Sequence, residues 1–446
     1  MTRPDDYPAA VAALRARGRF GISLGLERVA AILERLDHPE RALRGALVGG
    51  TNGKGSVVAL AAAALRAAGM RVGTMPKPHL VAYRERIAVD GAPVSEADFA
   101  AAVNRVLPAA DAVAQRLGPP TEFEVLTAAA FGELARRGVD LALVEVGMGG
   151  RLDATNVLDP GVAAITNVAL DHERYLGRTL AAIGTEKAAI IKAGNLAVTG
   201  ATGRGLAPIV DRCASLGVPL RRAGAGQPYR ASVRDSGWEG LVVDVRAGGR
   251  QLADLRIGLL GSHQAANGAV ALGLLDAIRQ QGEARGRLLP LDDDAIRRGF
   301  AKARWPGRME LLAGTPMGNV LLDGAHNPAG GRALARSLDE LGMRDFALVF
   351  GATRGKRVLP VLRALAPLRP RPVFTRVADG DAYGADELLR AWRRIGRGGR
   401  AIPGVAEALQ AAAELRRRPD QPLVVAGSLY LVGAVRGMLL GEMSGE

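Results

Sequence analysis

Cysteine is nearly absent from this 446-residue sequence, because Cys213 is the single one. One cysteine excludes an intrachain disulfide framework and offers no thiolate cluster for a metal, and it fits a reducing compartment. Aromatic residues make up only 4% of the chain, which leaves few rings for stacking on single-stranded nucleic acid. We therefore expect neither a disulfide-stabilised protein nor a base-stacking one.

Long hydrophobic runs are missing as well. The longest apolar stretches, VVALAAAAL and LVVAGSLYLVGAV, are shorter than the roughly 20 residues that a membrane-spanning helix needs. The N-terminal stretch MTRPDDYPAAV has no cationic start followed by an apolar run, so it does not look like a signal peptide. We expect a cytoplasmic protein with no membrane partner.

Basic residues outnumber acidic ones, 59 against 45, which gives a formal net charge of +14. Such a charge could serve a nucleic-acid surface or attract anionic substrates. Because the basic residues are scattered rather than gathered in blocks, we attribute most of them to solvated surface. We expect no nucleic-acid partner.

Short apolar runs alternate with helical segments, which predicts an α/β layered fold. Residues 141–147 and 162–169 have the composition of buried parallel strands, and 42–48 predict the strand that leads into a glycine loop. Residues 231–260 alternate around glycines and predict antiparallel hairpins at the domain edge. The alternation restarts after a Pro-Gly break at 306–307. We predict a domain of residues 1–303 with a mostly parallel sheet, and a smaller Rossmann-like α/β domain of residues 304–446.

The stretch GGTNGKGS (49–56) follows an apolar strand and opens an alanine-rich helix, which is the context of a phosphate-binding loop. Backbone N–H groups at the helix N-terminus would face phosphate oxygens. Lys54 would contact the β- and γ-phosphates, and the Ser56 hydroxyl would reach Mg²⁺. Gly55 separates the lysine from the serine and breaks the usual pattern, so a tight turn with a solvated lysine is the alternative.

Polar residues in two other strands are candidates for a metal site. Glu145 lies inside an apolar strand, where a carboxylate is costly unless it is paired or bound to a metal. Asp171 and His172 end another strand, at the edge where ligands collect in open α/β sheets. Glu145 and Ser56 offer the oxygen ligands that Mg²⁺ prefers, whereas His172 is a less typical ligand. A histidine in such a place is more often an ordinary hydrogen-bonding group.

Lys187 lies in a helix among alanines and isoleucines. Burial would lower its pKa, because it disfavours the charged form, and a neutral amine near a metal can react with CO₂ to form a carbamate. Taken alone, the residues favour a simpler interpretation, in which the amine of Lys187 reaches Glu186 or solvent.

Eight motifs occur in one order along nearly the whole chain and carry a resemblance. They are GGTNGKGS (49–56), TEFEVLTAAAF (121–131), VEVGMGGRLDATN (144–156), LDHERYLG (170–177), EKAAIIK (186–192), GSHQAAN (261–267), PGRME (306–310) and DGAHNP (323–328). Together they resemble folylpolyglutamate synthase/dihydrofolate synthase, within the Mur-ligase-like amide ligases. Because T-N-G-K-G-[ST] is this family's own loop, the resemblance also accounts for Gly55.

The resemblance implies a monomeric, ATP-dependent ligase that adds L-glutamate to a folate-type small molecule, with dihydropteroate as a further candidate acid. ATP would phosphorylate the carboxylate of the acid, and the amino group of glutamate would then displace phosphate. Two alternatives remain. One is a paralogous Mur-type ligase that joins another acid and amine, and the other is a nucleotide-dependent binding module.

The resemblance also implies roles for individual residues. ATP would be held by Gly53, Lys54, Gly55, Ser56, Asn267, Arg308, Asp323 and His326. Two Mg²⁺ sites would draw on Ser56, Glu145, His172 and a carbamylated Lys187. The catalytic residues would be Lys54, His172 and Lys187. The pterin end of the substrate would contact Gly25, Leu26, Glu27, Arg28, Thr121, Glu122, Phe123, Glu124, Leu152, Asp153 and Ala154.

Three positions depart from the family pattern. Lys77, in MPKPHL (75–80), stands where the family has a serine that binds metal, and a charged lysine cannot do so. Gly355 replaces an aspartate in GATRGKR (351–357), and ADGDAYGADEL (378–388) lacks an expected arginine. We predict that Lys77 contacts phosphate or acyl-phosphate oxygens; the alternative is a Lys77 side chain in solvent.

Overall fold

An eight-stranded sheet forms the centre of the N-terminal part of the protein. The computed structural model describes residues 6–18, 25–377, 381–418 and 420–442. The strands of this sheet are β1 Gly45–Gly49, β2 Val72–Met75, β3 Ala88–Val89, β4 Ala92–Pro93, β5 Leu141–Glu145, β6 Gly161–Ile165, β7 Leu196–Thr199 and β8 Leu220–Arg222. Their order is β4-β3-β2-β5-β1-β6-β7-β8. Strands β2, β5, β1, β6, β7 and β8 are parallel, whereas β3 pairs in antiparallel fashion with both β2 and β4.

The register of the central strands creates a common edge. Val48 pairs with Glu145 of β5, and Gly49 pairs with Ile165 of β6. The carboxyl ends of β5, β1 and β6 therefore lie side by side, which is where α/β sheets bind ligands. Along β1, Leu47 packs into one hydrophobic core whereas Ala46 and Val48 pack into the other. Burial on both faces explains why the strand sequence is apolar throughout rather than alternating.

Ten helices of the described N-terminal part pack on this sheet or on one another. They are α1 Tyr7–Gly18, α2 Glu27–Glu34, α3 Lys54–Ala67, α4 Glu96–Leu117, α5 Glu122–Arg136, α6 Glu173–Leu176, α7 Leu180–Ala188, α8 Ala207–Leu216, α9 His263–Ala284 and α10 Asp293–Lys302. Helix α3 packs between α9 and α10. Nowhere in the part of the chain that the structure describes is a helix long and apolar enough to cross a membrane.

A separate antiparallel sheet packs against α9. Its strands are β9 Arg230–Gly237, β10 Gly240–Ala247 and β11 Arg250–Ile257, in the order β11-β10-β9. Inward-facing residues such as Val243, Val245 and Leu255 are buried in the core shared with α3 and α9. This sheet confirms the antiparallel hairpins expected for 231–260.

A six-stranded sheet forms the C-terminal part. Its strands are β12 Glu310–Thr315, β13 Gly318–Asp323, β14 Ala347–Phe350, β15 Arg371–Phe374, β16 Arg400–Ala401 and β17 Leu423–Ala426, in the order β12-β13-β17-β14-β15-β16. Only the β12 pairing is antiparallel among these. The helices are α11 Pro328–Glu340, α12 Val358–Leu365, α13 Ala385–Trp392, α14 Val405–Glu414 and α15 Leu429–Leu440. The α/β class is confirmed, whereas the division at residue 303/304 stays a prediction.

Candidate active site

A cleft of about 740 Å³ is lined by residues of both the N-terminal and the C-terminal sheet units. It brings together most of the predicted site residues: Gly25, Gly53, Lys54, Gly55, Ser56, Thr121, Glu122, Phe123, Glu124, Glu145, Leu152, Asp153, Ala154, His172, Lys187, Asn267, Arg308, Asp323 and His326. Three predicted residues, Leu26, Glu27 and Arg28, are not among the residues that line it. The motifs are far apart in the sequence, and the fold collects them at one place.

The loop between β1 and α3 has the conformation that its glycines allow. Gly53 has φ +79° and precedes Lys54, the first residue of α3. The Nζ atom of Lys54 donates to the carbonyls of Gly50 and Thr51, at 3.2 and 3.3 Å, and lies 3.9 Å from Glu145 Oε1. Burial lowers the pKa of Lys54, and the Glu145 carboxylate opposes this shift. The lysine, the helix N-terminus and the loop N–H groups form an anion-binding arrangement.

Gly55, the residue that breaks the usual loop pattern, is in close contact with a tryptophan. A Cβ atom at Gly55 would lie 2.4 Å from the indole of Trp305. Trp305 belongs to the segment that joins α10 to β12, so the connection between the two sheet units packs on the first turn of the phosphate-loop helix. Only a residue without a side chain leaves room for this packing.

Glu145 and Lys187 lie buried beside the loop. Glu145 Oε2 has no hydrogen-bond partner among the described residues, and burial raises the pKa of this carboxyl. The Nζ atom of Lys187 donates to the Gly50 carbonyl at 3.0 Å. Burial lowers the pKa of Lys187 to about 7, so a large share of the amine is neutral near neutral pH. The simpler interpretation, in which the Lys187 amine reaches Glu186 or solvent, is wrong: the side chain is buried and its amine donates to the Gly50 carbonyl.

The donor set suits Mg²⁺ bound mainly through a nucleotide. Within the described ranges, no three side chains of His, Cys, Asp or Glu come together as a metal cluster. Mg²⁺ is, however, usually held by one or two carboxylates together with water and phosphate oxygens. The unpaired, buried oxygen of Glu145 is the observation that fits such an ion.

Asp171 is the centre of a polar network that joins the two sheet units. It accepts hydrogen bonds from Lys356 Nζ at 2.7 Å and Asn327 Nδ2 at 3.0 Å, and His326 Nε2 lies 3.4 Å away. Burial alone would raise the pKa of Asp171, but His326 and Lys356 hold it well below its usual range. Burial and the nearby Lys356 lower the pKa of His172 to about 4. At neutral pH His172 is therefore an uncharged ring, whose Nε2 lies 3.3 Å from Lys356 Nζ.

Sequence reasoning gave no role to several polar residues of this network. Asn52 and Asn327 exchange amide hydrogen bonds across the cleft, at 2.9 and 3.4 Å. Asn167 accepts from the Asn52 N–H and donates to its carbonyl. Lys356 and Arg86 also line the cleft. Asn52 and Asn327 lie inside the motifs GGTNGKGS and DGAHNP, and their amide side chains in these loops are the signal that could predict them.

The residues predicted for the pterin end include a helix cap. Thr121 is the N-cap of α5, and Glu124 accepts from its N–H at 2.7 Å and from its hydroxyl at 2.9 Å. Arg28 donates from Nε to Glu124 Oε2 at 3.1 Å, and its Nη2 lies 3.0 Å from Oε1. Arg28 thus supports the cleft wall through Glu124 rather than lining the cleft itself.

Asp153 stabilises the double-glycine turn after β5 by hydrogen bonds to the backbone of its own loop. Its Oδ2 accepts from the Met148 N–H at 2.9 Å, and its Oδ1 accepts from the Thr155 N–H at 3.1 Å. These bonds hold the loop from 147 to 155 against the cleft.

Lys77 is buried, which contradicts the alternative that its side chain lies in solvent. Its Nζ atom lies 3.8 Å from the centre of the Phe123 ring and 3.9 Å from Asp153 Oδ1. Burial lowers the pKa of Lys77 to about 8. The predicted contact with phosphate or acyl-phosphate oxygens stays a prediction.

The C-terminal unit contributes the linker and the end of β13. Asp323 accepts from the N–H groups of Met309 and Ala325, both at 2.9 Å, and so fixes the segment that carries Arg308. His326 Nδ1 lies 2.8 Å from the Gly324 carbonyl, which directs Nε2 to Asp171. On the other side, Asn267 of α9 packs so closely on Gly53 that a Cβ there would lie 2.3 Å from Asn267 Oδ1.

Two domain families match the chain. Residues 48–275 match the Mur ligase middle domain, and residues 314–439 match the C-terminal domain of dihydrofolate synthetase. The first match covers the phosphate loop and most of the eight-stranded sheet. The second covers nearly all of the six-stranded sheet.

Relatives that match nearly the whole of this chain agree with these two domain matches. The dihydrofolate synthase/folylpolyglutamate synthase of Bacillus subtilis is 32% identical, over 97% of this chain and 99% of that one. A probable bifunctional folylpolyglutamate synthase/dihydropteroate synthase of Haloferax volcanii is 36% identical over 97% of this chain, which spans only 50% of that longer protein.

Solved structures give the same result. The folylpolyglutamate synthase of Mycobacterium tuberculosis, complexed with ADP and AMPPCP, superposes with a TM-score of 0.86 at 31% identity, over 97% of this chain and 99% of that one. The Escherichia coli FolC in complex with DHPP and ADP has a TM-score of 0.85 at 28% identity, over 100% of both chains.

Proposed function

This chain belongs to the dihydrofolate synthase/folylpolyglutamate synthase family, and from that premise we propose that it is an ATP-dependent ligase that joins L-glutamate to a folate-type acid. One observation carries the proposal. A single cleft contains the phosphate loop with Lys54, the buried Glu145 and Lys187, and the Thr121–Glu124 cap. Nucleotide chemistry and an acid substrate can therefore meet within it.

The reaction needs an activated carboxylate. A carboxylate oxygen of the acid attacks the γ-phosphorus of ATP, and the bond to the β,γ-bridging oxygen breaks to release ADP. The amino nitrogen of glutamate, once it has lost its proton, attacks the acyl carbon, and inorganic phosphate leaves with the electron pair of the C–O bond. The protein must align these anions and offset their charge.

The residues of the cleft suit these tasks. We assign Gly53, Lys54, Gly55 and Ser56 to the phosphates of ATP, with Lys54 opposing the charge on the transferred phosphoryl group. Asn267, Arg308, Asp323 and His326 form the nucleotide wall from α9 and the C-terminal unit. The interdomain network on Asp171 closes the cleft and limits the entry of water that would hydrolyse an acyl phosphate.

Mg²⁺ would be held by Ser56 and Glu145, with His172 and a carbamylated Lys187 as further ligands. When bound, the ion would neutralise phosphate charge and orient the phosphate oxygens. Glu145 offers an unpaired oxygen for it. The amine of Lys187 is buried, with a pKa of about 7, and so meets the requirement of carbamate formation for a neutral nucleophile.

The acid would lie with its pterin end near Thr121, Glu122, Phe123, Glu124, Leu152, Asp153 and Ala154. The similarity to a FolC structure that holds DHPP and ADP supports dihydropteroate as an acid substrate beside folates that already carry glutamate. We further propose a monomer divided at residue 303/304 and located in the cytoplasm; size-exclusion chromatography with light scattering tests the oligomeric state.

The decisive experiment measures release of phosphate and ADP with each substrate omitted in turn. We expect turnover with ATP, glutamate and either dihydropteroate or tetrahydrofolate, and mass spectrometry should show a product with one added glutamyl residue. An enzyme that turns over neither dihydropteroate nor tetrahydrofolate, or that uses another amine faster than glutamate, would overturn the proposal and favour a paralogous ligase.

A further inference from the structure

Lys77 provides a buried amine that the protein itself does not satisfy. Its side chain is 6% exposed, and Nζ has no hydrogen-bond partner among the described residues. An ammonium withdrawn from water without compensating bonds carries a substantial free-energy cost. Lys77 nevertheless lines the cleft, so a ligand that enters the cleft can supply the missing acceptor.

The neighbours of Lys77 interact with its charge but accept no hydrogen bond from Nζ. Phe123 presents its ring face to Nζ, 3.8 Å from the ring centre, which is a cation–π contact and leaves the N–H donors available. Asp153 Oδ1 is 3.9 Å away, beyond hydrogen-bond length. Both Asp153 oxygens accept N–H groups of their own loop, from Met148 and Thr155, so the carboxylate cannot turn freely toward Lys77.

The position of Lys77 in the sheet places it on the acid side of the cleft, apart from the phosphate loop. Lys77 follows β2 by two residues, and β2 is the neighbour of β5 on the side away from β1. It therefore lies beyond Glu145, two strands from the phosphate loop, beside Phe123 of the acid-binding end. Lys77 therefore lies between the predicted pterin end and the phosphate loop, on the path of an acid whose carboxylate is directed at the γ-phosphate.

We propose that Lys77 Nζ binds the carboxylate of the acid substrate and holds it for attack on the γ-phosphate. This inference rests on the proposed ligase function and names the residue that recognises the reacting group. A hydrogen bond from a charged donor is worth about 10- to 100-fold in affinity. The contact is made before and during phosphoryl transfer, so its loss should act mainly on the KM for the acid.

The test changes both partners of the contact. Wild type and Lys77→Met are titrated with dihydropteroate and with its carboxamide, in the presence of saturating AMPPCP, by calorimetry. Methionine keeps an apolar stem against Phe123 and removes the charge. We expect wild type to prefer the carboxylate by about 10- to 100-fold and Lys77→Met to show nearly equal affinities. Lys77→Arg should keep most of the preference, and the exposed Lys302→Met is the matched control.

Several outcomes would overturn the inference. An unchanged carboxylate preference in Lys77→Met would mean that Lys77 does not bind this group. Weaker binding of AMPPCP, titrated alone into Lys77→Met, with the carboxylate preference intact would assign Lys77 to phosphate instead. If Lys77→Met does not fold, Lys77→Gln takes its place with the same expectations. A wild-type enzyme that turns over no pteroate or folate acid would reject the proposed function itself, whereas normal turnover with an unchanged preference rejects only the role of Lys77.

Discussion

Individual lysines in this protein differ by the acceptors that surround them. Lys54 donates to two loop carbonyls, Lys187 to one, and Lys77 to none of the described residues. All three side chains are buried or nearly so, yet each has a different number of hydrogen-bond acceptors around its amine. We expect these differences to appear as different kinetic effects when each amine is removed.

Replacing Lys54 should remove catalysis and leave the fold intact. Lys54→Met takes away the charge that we propose stabilises the transferred phosphoryl group, so we expect kcat to fall by roughly 10²–10³-fold or more. Steady-state kinetics measures the loss, and circular dichroism with thermal melting checks the fold. Lys302→Met, which removes an exposed lysine of α10, is the control. A Lys54→Met enzyme with near-normal ligase rates would show that the loop lysine has no transition-state role.

Lys187 should form a carbamate, and its formation should depend on pH. A lysine with a lowered pKa is neutral above that pKa, so the reactive amine grows as pH rises through about 7, rather than near the usual value of about 10.4. Carbon-13 NMR after addition of labelled bicarbonate should show a carbamate signal that increases over this range. The signal should vanish in Lys187→Ala, whose activity acetate should partly restore.

Lys192→Met is the control for the carbamate signal, because Lys192 donates to Asn156 and the Leu158 carbonyl and does not line the cleft. A carbamate that persists in Lys187→Ala, or a signal that first rises near pH 10, would place the chemistry on another amine.

At the scale of elements, a close contact with Trp305 constrains the first turn of α3, and the loop sequence alone does not predict this contact. Gly55→Ala would place a methyl group 2.4 Å from the Trp305 indole. We expect the free energy of unfolding to fall by about 1–3 kcal/mol, as for other overpacked sites, and the KM for ATP to rise because the linker and loop move apart. Denaturant unfolding and nucleotide titration measure the two effects.

A double-mutant cycle separates this clash from an effect on the helix itself. In a Trp305→Ala background the ring is gone, so Gly55→Ala should cost much less than in the wild type. Gly132→Ala is the matched control, since nothing lies within 4 Å of a Cβ at that position of α5 and alanine favours helix by about 1 kcal/mol. Equal costs of Gly55→Ala in both backgrounds would exclude the Trp305 contact as the cause.

The sequence predicted the elements better than the contacts between them. Strands such as β1, β5 and β17 are buried on both faces, so their composition alone identifies them. The phosphate loop is predictable from the sequence because strand, glycines and helix are adjacent in the chain. The contacts of Asp171 with Lys356 and of Gly55 with Trp305 join residues 185 and 250 positions apart, and no local pattern records such pairs. The hydrogen bonds of Asp153 to its own loop could not be predicted from the sequence either, because they depend on how the turn folds.

On the scale of the whole molecule, a small polar network connects the two sheet units across the cleft. Asp171 and Asn52 belong to the loops after β6 and β1, whereas Asn327 and Lys356 come from the C-terminal unit. Interfaces between domains of one chain are usually more polar than cores and permit relative motion. A ligase that must admit substrates and then exclude water needs such an interface, because the bonds can form and break as the cleft closes and opens.

Lys356→Met should loosen this closure without unfolding either unit. The variant removes the ammonium that contacts Asp171 at 2.7 Å, and loss of a bond to a charged group costs about 1–3 kcal/mol. We expect faster hydrogen exchange in the loops 167–173 and 351–357, and a larger radius of gyration by small-angle scattering. The uncoupled hydrolysis of ATP should rise relative to ligation, because water reaches the acyl phosphate.

The matched control and the pH dependence make this prediction specific. Arg354→Met removes a neighbouring charge whose partners, Glu387 and Asp381, belong to the same unit, so it should leave closure unchanged.

The folded-state pKa of Asp171 is held well below its usual range, and a carboxyl with a lowered pKa contributes stability above its unfolded value, near 3.9. That contribution is lost only as the pH falls through the lower, folded value. The difference between wild type and Lys356→Met should therefore stay constant from pH 7 to about pH 5. A difference that disappears in this range, or an Arg354→Met variant that opens equally, would show that Asp171 and Lys356 do not hold the two units together.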